Sequence, residues 1–331
     1  MKTIIRKALR GTLMTAAVAA LSLSSAQANT LTMAYAQNSQ PVIDALHLLA
    51  DLIEEKTDGE VTVNIYPDSQ LGGERELVEL MQAGAVDITK VSAGLMDSFS
   101  SIYGVFSMPY LFDDTEHFYR VMDDPEIVGP VFESTADQGF VAMGYYDSGS
   151  RNFYMRNQPV QTVEDLEGKR IRVMQSETAI EMMQLLGAIP VAMGQSEVYT
   201  SIQQGILDGA ENNEFAITVA RHGEVAKHYS YDMHTRIPDI VLIGTSTLES
   251  LTEEQRVAVE EAMAESIEFQ KEAWSEAVAE ARQQSEEEFG VTFYDVDLEP
   301  FQEAVQPMYE DLRSRPAHFE LYEQIISVSE Q

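Results

Sequence analysis

The chain has 331 residues, no cysteine and a formal net charge of −34, from 55 acidic against 21 basic residues. Such a molecule repels nucleic acid and anionic membrane surfaces, and it has no disulfide framework, cysteine-linked lipid anchor or thiolate metal ligand. Stability must come from a packed core, which roughly 300 residues can build in two domains of ordinary size.

The opening stretch, MKTIIRKALRGTLMTAAVAALSLSSAQANT, has a cationic start, an apolar run from about Leu13 to Leu23, and then Ala26-Gln27-Ala28. This predicts a secretory signal peptide cleaved after Ala28, because the run is shorter than the roughly 20 apolar residues a spanning helix needs. Removing it takes away Lys2, Arg6, Lys7 and Arg10, so the exported chain is more acidic still. A solvated acidic shell suits a saline habitat, where a Debye length of about 3 Å at 1 M salt screens the self-repulsion. The melting temperature is therefore expected to rise with added sodium chloride; a flat calorimetric trend would exclude this origin of the acidity.

Next, LTMAY reads as a strand, followed by a turn at Pro41 and an amphipathic helix with Ala45, Leu48, Leu49 and Leu52 at three- and four-residue spacing. Gly59 and an alternating strand Val61–Tyr66 complete a β-α-β opening. A helix follows in QLGGERELVELMQAG, then strands in AVDITKVS, GFVAMGYY, RNFYM, KRIRV and IVLIGT. This alternation predicts an α/β fold with largely parallel sheets covered by helices. From Thr252 to about Glu288 there is neither proline nor glycine; Thr252 to Gln255 offers a capping box and Gly290 a stop. The resulting helix is expected to be about 55 Å long and to cross two lobes. Val257, Met263, Ile267, Trp274, Val278 and Ala281 form a broken apolar stripe along it, not a heptad seam.

The stretch GKRIRVMQSE gathers Lys169, Arg170 and Arg172 in an otherwise acidic chain. On a strand, Arg170 and Arg172 share one face and Ile171 and Val173 the other. Taken alone, an R-x-R pair reads as surface cations neutralising Glu164, Asp165 and Glu167. The motifs of dinucleotide, phosphate-loop, serine-hydrolase and zinc-protease sites do not occur. His222, His228 and His234 recur every six residues, a spacing that suits neither a helix face nor a tight loop for metal ligation. Polar residues do gather at predicted strand ends, where open α/β folds bind ligands: Arg151 after YYDSGS, Arg172 with Gln175 beyond it, and Asn212 and Asn213 in ILDGAENNEFA.

The segments YPDSQLGGERELVELMQAGAVDIT, SMPYLF, DLEGKRIRVMQSE, LGAIPVAMGQSEVYTSIQQGILDGAENN and LTEEQRVAVEEA resemble, in order, the DctP family of solute-binding proteins of tripartite ATP-independent periplasmic (TRAP) transporters. The resemblance implies a two-lobed periplasmic binding protein fold of α/β class with a long helix spanning both lobes. It implies residues 29–148 plus 238–277 in the first lobe and 149–237 plus 278–331 in the second. It implies that Arg172 pairs with the carboxylate of a bound organic acid, where a planar guanidinium fork meets both oxygens as a lysine could not. Arg151 matches a second position that reaches the ligand, and Asn212 the family's pocket asparagine. Glu74 matches an acidic or polar ligand contact at a helix start, whose other reading is a favourable charge at the helix N-terminus. Gln175 and Gln195 map near the pocket.

YYDSGSRNFY, RVMQSE and HYSYDMHTRIPDIVL look most like the branch that takes sugar acids, above all glucuronate and galacturonate, although this chain has ENNEFA where that branch often carries an aromatic residue and a proline. Several hydroxyls on the ligand would be served by Glu74, Asn212, Asn213, His234 and Asp239, whereas a C4-dicarboxylate would need a second cation, for which Arg151 is available. The implied partners are the small acid and the small and large integral membrane subunits, with no nucleic acid. Uptake in this family is driven by an ion gradient, so no cofactor is expected. A secreted sugar-acid hydrolase or lyase would need an acid and a base at the reacting bond, which the sequence does not nominate. A ligand-sensing partner of a membrane receptor would use the same lobes.

Overall fold

The computed structural model describes residues 29–36 and 38–329; the expected signal peptide lies outside the described residues. Among the described residues, eleven strands form two sheets: β1 (Asn29–Tyr35), β2 (Val61–Tyr66), β3 (Ile88–Ser92), β4 (Phe140–Tyr146), β5 (Ser150–Met155), β6 (Arg170–Val173), β7 (Ile189–Ala192), β8 (Gly209–Asn212), β9 (His228–Arg236), β10 (Asp239–Gly244) and β11 (Thr292–Asp295). The first lobe is built on the sheet β2-β1-β3-β10-β4 and the second on β11-β9-β5-β8-β6-β7. The sheets are mixed, not largely parallel. β10 runs antiparallel to both β3 and β4, and β5 antiparallel to both β8 and β9. The reason lies in the connections: β5 and β10 enter each sheet straight from the other lobe, and a parallel partner would require a helical crossover within the lobe.

The chain thus crosses between lobes after β4 and after β9. Asp147 ties the two crossings together: its carboxylate accepts from Tyr119 Oη at 2.7 Å and from Arg236 Nη2 at 2.5 Å. Its backbone is bracketed by the amide of Gln270, at 2.8 Å in both directions. Gln270 is fully buried on the long helix Glu253–Glu287, which starts at the Thr252–Gln255 capping box.

That helix lies on the helix Gln40–Lys56 and β4 in the first lobe and on the short helix Phe215–Thr218 in the second, so it spans both. Its buried face keeps Met263, Trp274 and Ala281 of the expected stripe, with Ile267 and Val278 partly buried, and adds small and polar residues. Ala258, Ala262, Ser266, Gln270 and Ser285 are inside with Met263 and Trp274, while Val257 is 45% exposed. Small side chains let two helices approach closely, and the buried polar ones find partners: Ser266 Oγ donates to the Ala45 carbonyl at 2.9 Å. The last helix, Pro316–Ser329, packs against the first-lobe helix Thr115–Met122, where His117 Nε2 meets the Ile325 carbonyl at 3.0 Å.

The lobes also touch along a seam. Asp97 Oδ2 in the first lobe accepts from Ser176 Oγ at 2.8 Å, Thr178 Oγ1 at 3.1 Å and the Thr178 backbone at 3.2 Å, which places a carboxylate at the N-terminus of the second-lobe helix Glu177–Leu185. Gly94 also faces the seam: a Cβ there would lie 2.3 Å from Met174 Cε, and the flexible end of the methionine would have to shift.

Candidate functional site

β6 and β8 are parallel neighbours, with Arg172 opposite Ala210, so Arg172 and Asn212 emerge together at the C-terminal end of the pair. Arg172 is only 4% exposed. Its Nε and Nη2 both donate to the Met193 carbonyl, at 3.0 and 2.9 Å, which fixes the plane of the fork. Among the described residues no carboxylate lies within ion-pair distance of it. Burial lowers its pKa, but a guanidinium keeps its proton, so a charge sits nearly out of water without an anion against it. The same field is felt by His222, which burial and then Arg172 push down to about 3; the neutral ring meets Tyr154 Oη through Nδ1 at 2.7 Å.

Arg151 stands in a different electrostatic situation. Its Nε and Nη2 grip the carboxylate of Glu211 at 2.5 and 3.0 Å, Nη2 also reaches the Glu211 carbonyl at 2.8 Å, and Nη1 donates to Asn212 Oδ1 at 2.8 Å. Its charge, expected to serve the ligand, is committed to Glu211. His234, expected to serve hydroxyls, is fully buried between Asp232 Oδ2 at 2.6 Å and Glu211 Oε2 at 3.3 Å. Burial alone would raise the Glu211 pKa, but Arg151 and His234 hold it at about 2. Burial alone would lower that of His234, but Asp232 and Glu211 hold it at about 9.

This network orients Asn212. An arginine can only donate, so the amide oxygen must face Arg151 and the nitrogen is turned the other way, as a donor with no partner among the described residues. Asn213 has a scaffolding position: Nδ2 donates to the Ser148 carbonyl at 2.8 Å and Oδ1 accepts from the Phe215 backbone at 3.1 Å.

The network also sets a pH window. Glu211, depressed from 4.5 to about 2, adds stability that is present above 4.5 and lost as pH falls through 2. His234, raised from 6.5 to about 9, adds stability that is present below 6.5 and lost as pH rises through 9. Urea-melt stability is expected to fall between pH 6.5 and 9 and to fall less in His234→Gln; an equally steep fall in both proteins would remove His234 as the cause.

On the first lobe, Glu74 begins the helix Glu74–Gln82, and its Oε1 accepts from Lys90 Nζ at 3.3 Å. Asp239, at the start of β10, accepts from the same ammonium at 2.8 Å. Glu74 and Asp239 belong to the first lobe and Arg172 and Arg151 to the sheet of the second, and each carboxylate acts electrostatically on an arginine of the other lobe, Glu74 on Arg172 and Asp239 on Arg151. Gln175 accepts from Arg75 Nε at 3.2 Å on the seam, and Gln195, half-buried, starts the turn Gln195–Glu197, whose other two residues are exposed. His228 meets Tyr294 Oη at 3.0 Å, so the three spaced histidines have three separate sets of partners. Arg170 is the surface cation of the R-x-R pair, and it binds Asp208 at 2.9 Å instead of Glu164, Asp165 or Glu167.

Lys90 and Glu211 were not among the candidates. Lys90 had a legible signal, a lone cation in the strand ITKVS whose residues are all buried. Glu211 had none, because one carboxylate among 55 acidic residues carries no information.

The model of the bacterial extracellular solute-binding proteins, family 7 (DctP), matches residues 33–315. A TRAP periplasmic solute-binding protein from Anaerococcus prevotii, solved with α/β-D-glucuronate bound, superposes with a TM-score of 0.88 at 40% identity, over 91% of this chain and 98% of that one. The chain belongs to the DctP family of TRAP solute-binding proteins. A second structural neighbour, a TRAP periplasmic solute-binding protein from Xanthobacter autotrophicus with β-D-galacturonate bound, gives a TM-score of 0.85 at 33% identity, covering 89% and 98% of the two chains. The uncharacterized protein YiiZ of Salmonella typhimurium is 62% identical over 89% of this chain and 90% of its own. TRAP solute-binding proteins bind small organic acids and work with membrane subunits, so the DctP assignment is to transport and not to catalysis. No helix among the described residues is long and apolar enough to cross a membrane.

Proposed function

We propose that this protein captures a hexuronate, D-glucuronate or D-galacturonate, in the periplasm and delivers it to the small and large membrane subunits of its transporter. One observation carries the reading: Arg172 is a buried guanidinium without a carboxylate partner among the described residues, beside an Arg151 already neutralised by Glu211. The cleft therefore offers one strong anion subsite, with the Asn212 amide beside it and carboxylate acceptors for hydroxyls on the facing lobe. Bound glucuronate and galacturonate in the structural neighbours support the same class. A C4-dicarboxylate fits less well, because Arg151 is not a free second cation.

The export signal is 1–28, removed after Ala28. The first lobe is 29–148 plus 238–277 and the second 149–237 plus 278–331, whose final helix returns to lie on the first. The ligand bridges Arg172 and Glu74 and holds the lobes closed about the crossings at Asp147. Asp97 latches that closed form, so Asp97→Ala is expected to speed ligand release about tenfold, as loss of charge-assisted bonds would. Stopped-flow release at the wild-type rate would remove the latch.

The function is tested by a thermal-shift panel of uronates, aldonates, C4-dicarboxylates and ectoine. A ligand at a hundredfold excess over its Kd should add about 2.7 kcal/mol to stability. Shifts confined to C4-dicarboxylates, or none with any sugar acid, would overturn the assignment.

A further inference from the structure

The side chain of Lys90 is 4% exposed, and its ammonium binds Asp239 at 2.8 Å and Glu74 at 3.3 Å. A lysine is seldom buried so deeply unless it is paired, and here it is paired twice. Two carboxylates around one ammonium leave a net negative charge at this end of the cleft. The other nearby cation of the lobe, Arg75, is turned towards the seam: it donates to Ser98 Oγ at 2.7 Å and to Gln175, with its guanidinium 5.3 Å from the centre of the Phe99 ring. On the second lobe, Arg172 has no carboxylate partner among the described residues, and it feels the charge of Glu74. Burial raises the pKa of Asp239 and the Lys90 ammonium opposes that rise. One end of the cleft therefore attracts a carboxylate, and the other presents carboxylate oxygens, which accept hydrogen bonds.

We propose that Lys90 determines specificity, by holding Glu74 and Asp239 as a fixed pair of acceptors that takes the hydroxyl end of a sugar monoacid and turns away a second carboxylate. The inference rests on the sugar-acid reading of the site. A hydroxyl donates to a carboxylate, whereas a terminal carboxylate offers no proton and brings like charge against like. Lys90 acts through Glu74 and Asp239, so it is a positioning residue. It accepts the two negative groups into the fold without cancelling them.

The test compares a hexuronate with the hexarate of the same sugar, in which C1 is oxidised to a second carboxylate and the ring is open, by titration calorimetry on the wild-type protein, Glu74→Gln and Lys90→Met. The ring-to-chain difference is common to all three proteins, so the change in preference between them reads the charge. The wild type should prefer the hexuronate at least about tenfold, the order that one uncompensated charge contact near a protein surface supplies. Glu74→Gln keeps an acceptor oxygen without the charge, and its preference should shrink about tenfold, mainly by a gain for the hexarate. Lys90→Met should bind the hexuronate at least about tenfold more weakly, since its acceptors are no longer held together. Because Lys90→Met can also fail to fold, the preference ratio in Glu74→Gln decides. A ratio equal to the wild-type one, or a wild type that binds both acids alike, overturns the role of Lys90 while leaving the hexuronate assignment in place. A wild type that binds neither acid overturns the assignment and this inference with it.

Discussion

Replacing Arg172 with methionine is expected to weaken hexuronate binding by about 10²- to 10⁴-fold, from two charge-assisted hydrogen bonds of about 1.5–3 kcal/mol each. The free edge of the fork is the only part of the cleft with an unpaired positive charge among the described residues, so no neighbour can substitute for it. Arg172→Lys should recover little, because an ammonium cannot meet two oxygens in a plane while its stem is held in the strand. Stability should respond in the opposite sense to binding. The folded protein keeps a guanidinium 4% exposed without a carboxylate beside it, so exchanging it for an apolar side chain removes a desolvation cost. The Met193 carbonyl loses its donors, which offsets part of that gain. The unliganded melting temperature should therefore stay within a few degrees of the wild type. Calorimetric titration and a thermal melt together check this, and wild-type affinity in Arg172→Met would end the account of the site.

Arg151→Met should behave in the reverse way, with a loss of stability on the order of 3–5 kcal/mol. Glu211 is 2% exposed and is gripped at two oxygens by Arg151, so removing the guanidinium leaves a buried carboxylate with His234 alone beside it. For a protein of this size that corresponds to a melting temperature lower by roughly 10 °C. Arg151→Met combined with Glu211→Gln should regain most of the loss, since the orphaned charge is gone. Binding should weaken moderately in both variants, because Asn212 loses the donor that fixes its amide. A protein that melts as the wild type does but no longer binds would show that Arg151 meets the ligand directly instead of supporting the site.

These two arginines show what kind of information a sequence holds. Both occupy strand ends in segments that match the DctP pattern, and nothing in local spacing separates them. Their difference comes from Glu211, which lies 60 positions from Arg151 in the chain and is brought to it by the antiparallel pairing of β5 with β8. Lys90 and Asp239 are likewise 149 positions apart and meet because β10 returns from the second lobe to lie beside β3. His234 was legible as a candidate for serving a ligand hydroxyl, but its enclosure by Asp232 and Glu211 was not.

Local physics wrote several features directly into the chain. Alternating apolar residues specified β2, the Thr252–Gln255 box and Gly290 delimited the long helix, and period two put Arg172 on one face and the core residues Ile171 and Val173 on the other. These depend on neighbours within a few residues, so composition and spacing were sufficient. The short strands β7, β8 and β11, the antiparallel entry of β5 and β10, and the sorting of cations into paired and unpaired were decided only by tertiary structure. A four-residue strand has too few side chains to display a period, and the energy of a buried charge depends on what the fold carries to within a few ångströms of it.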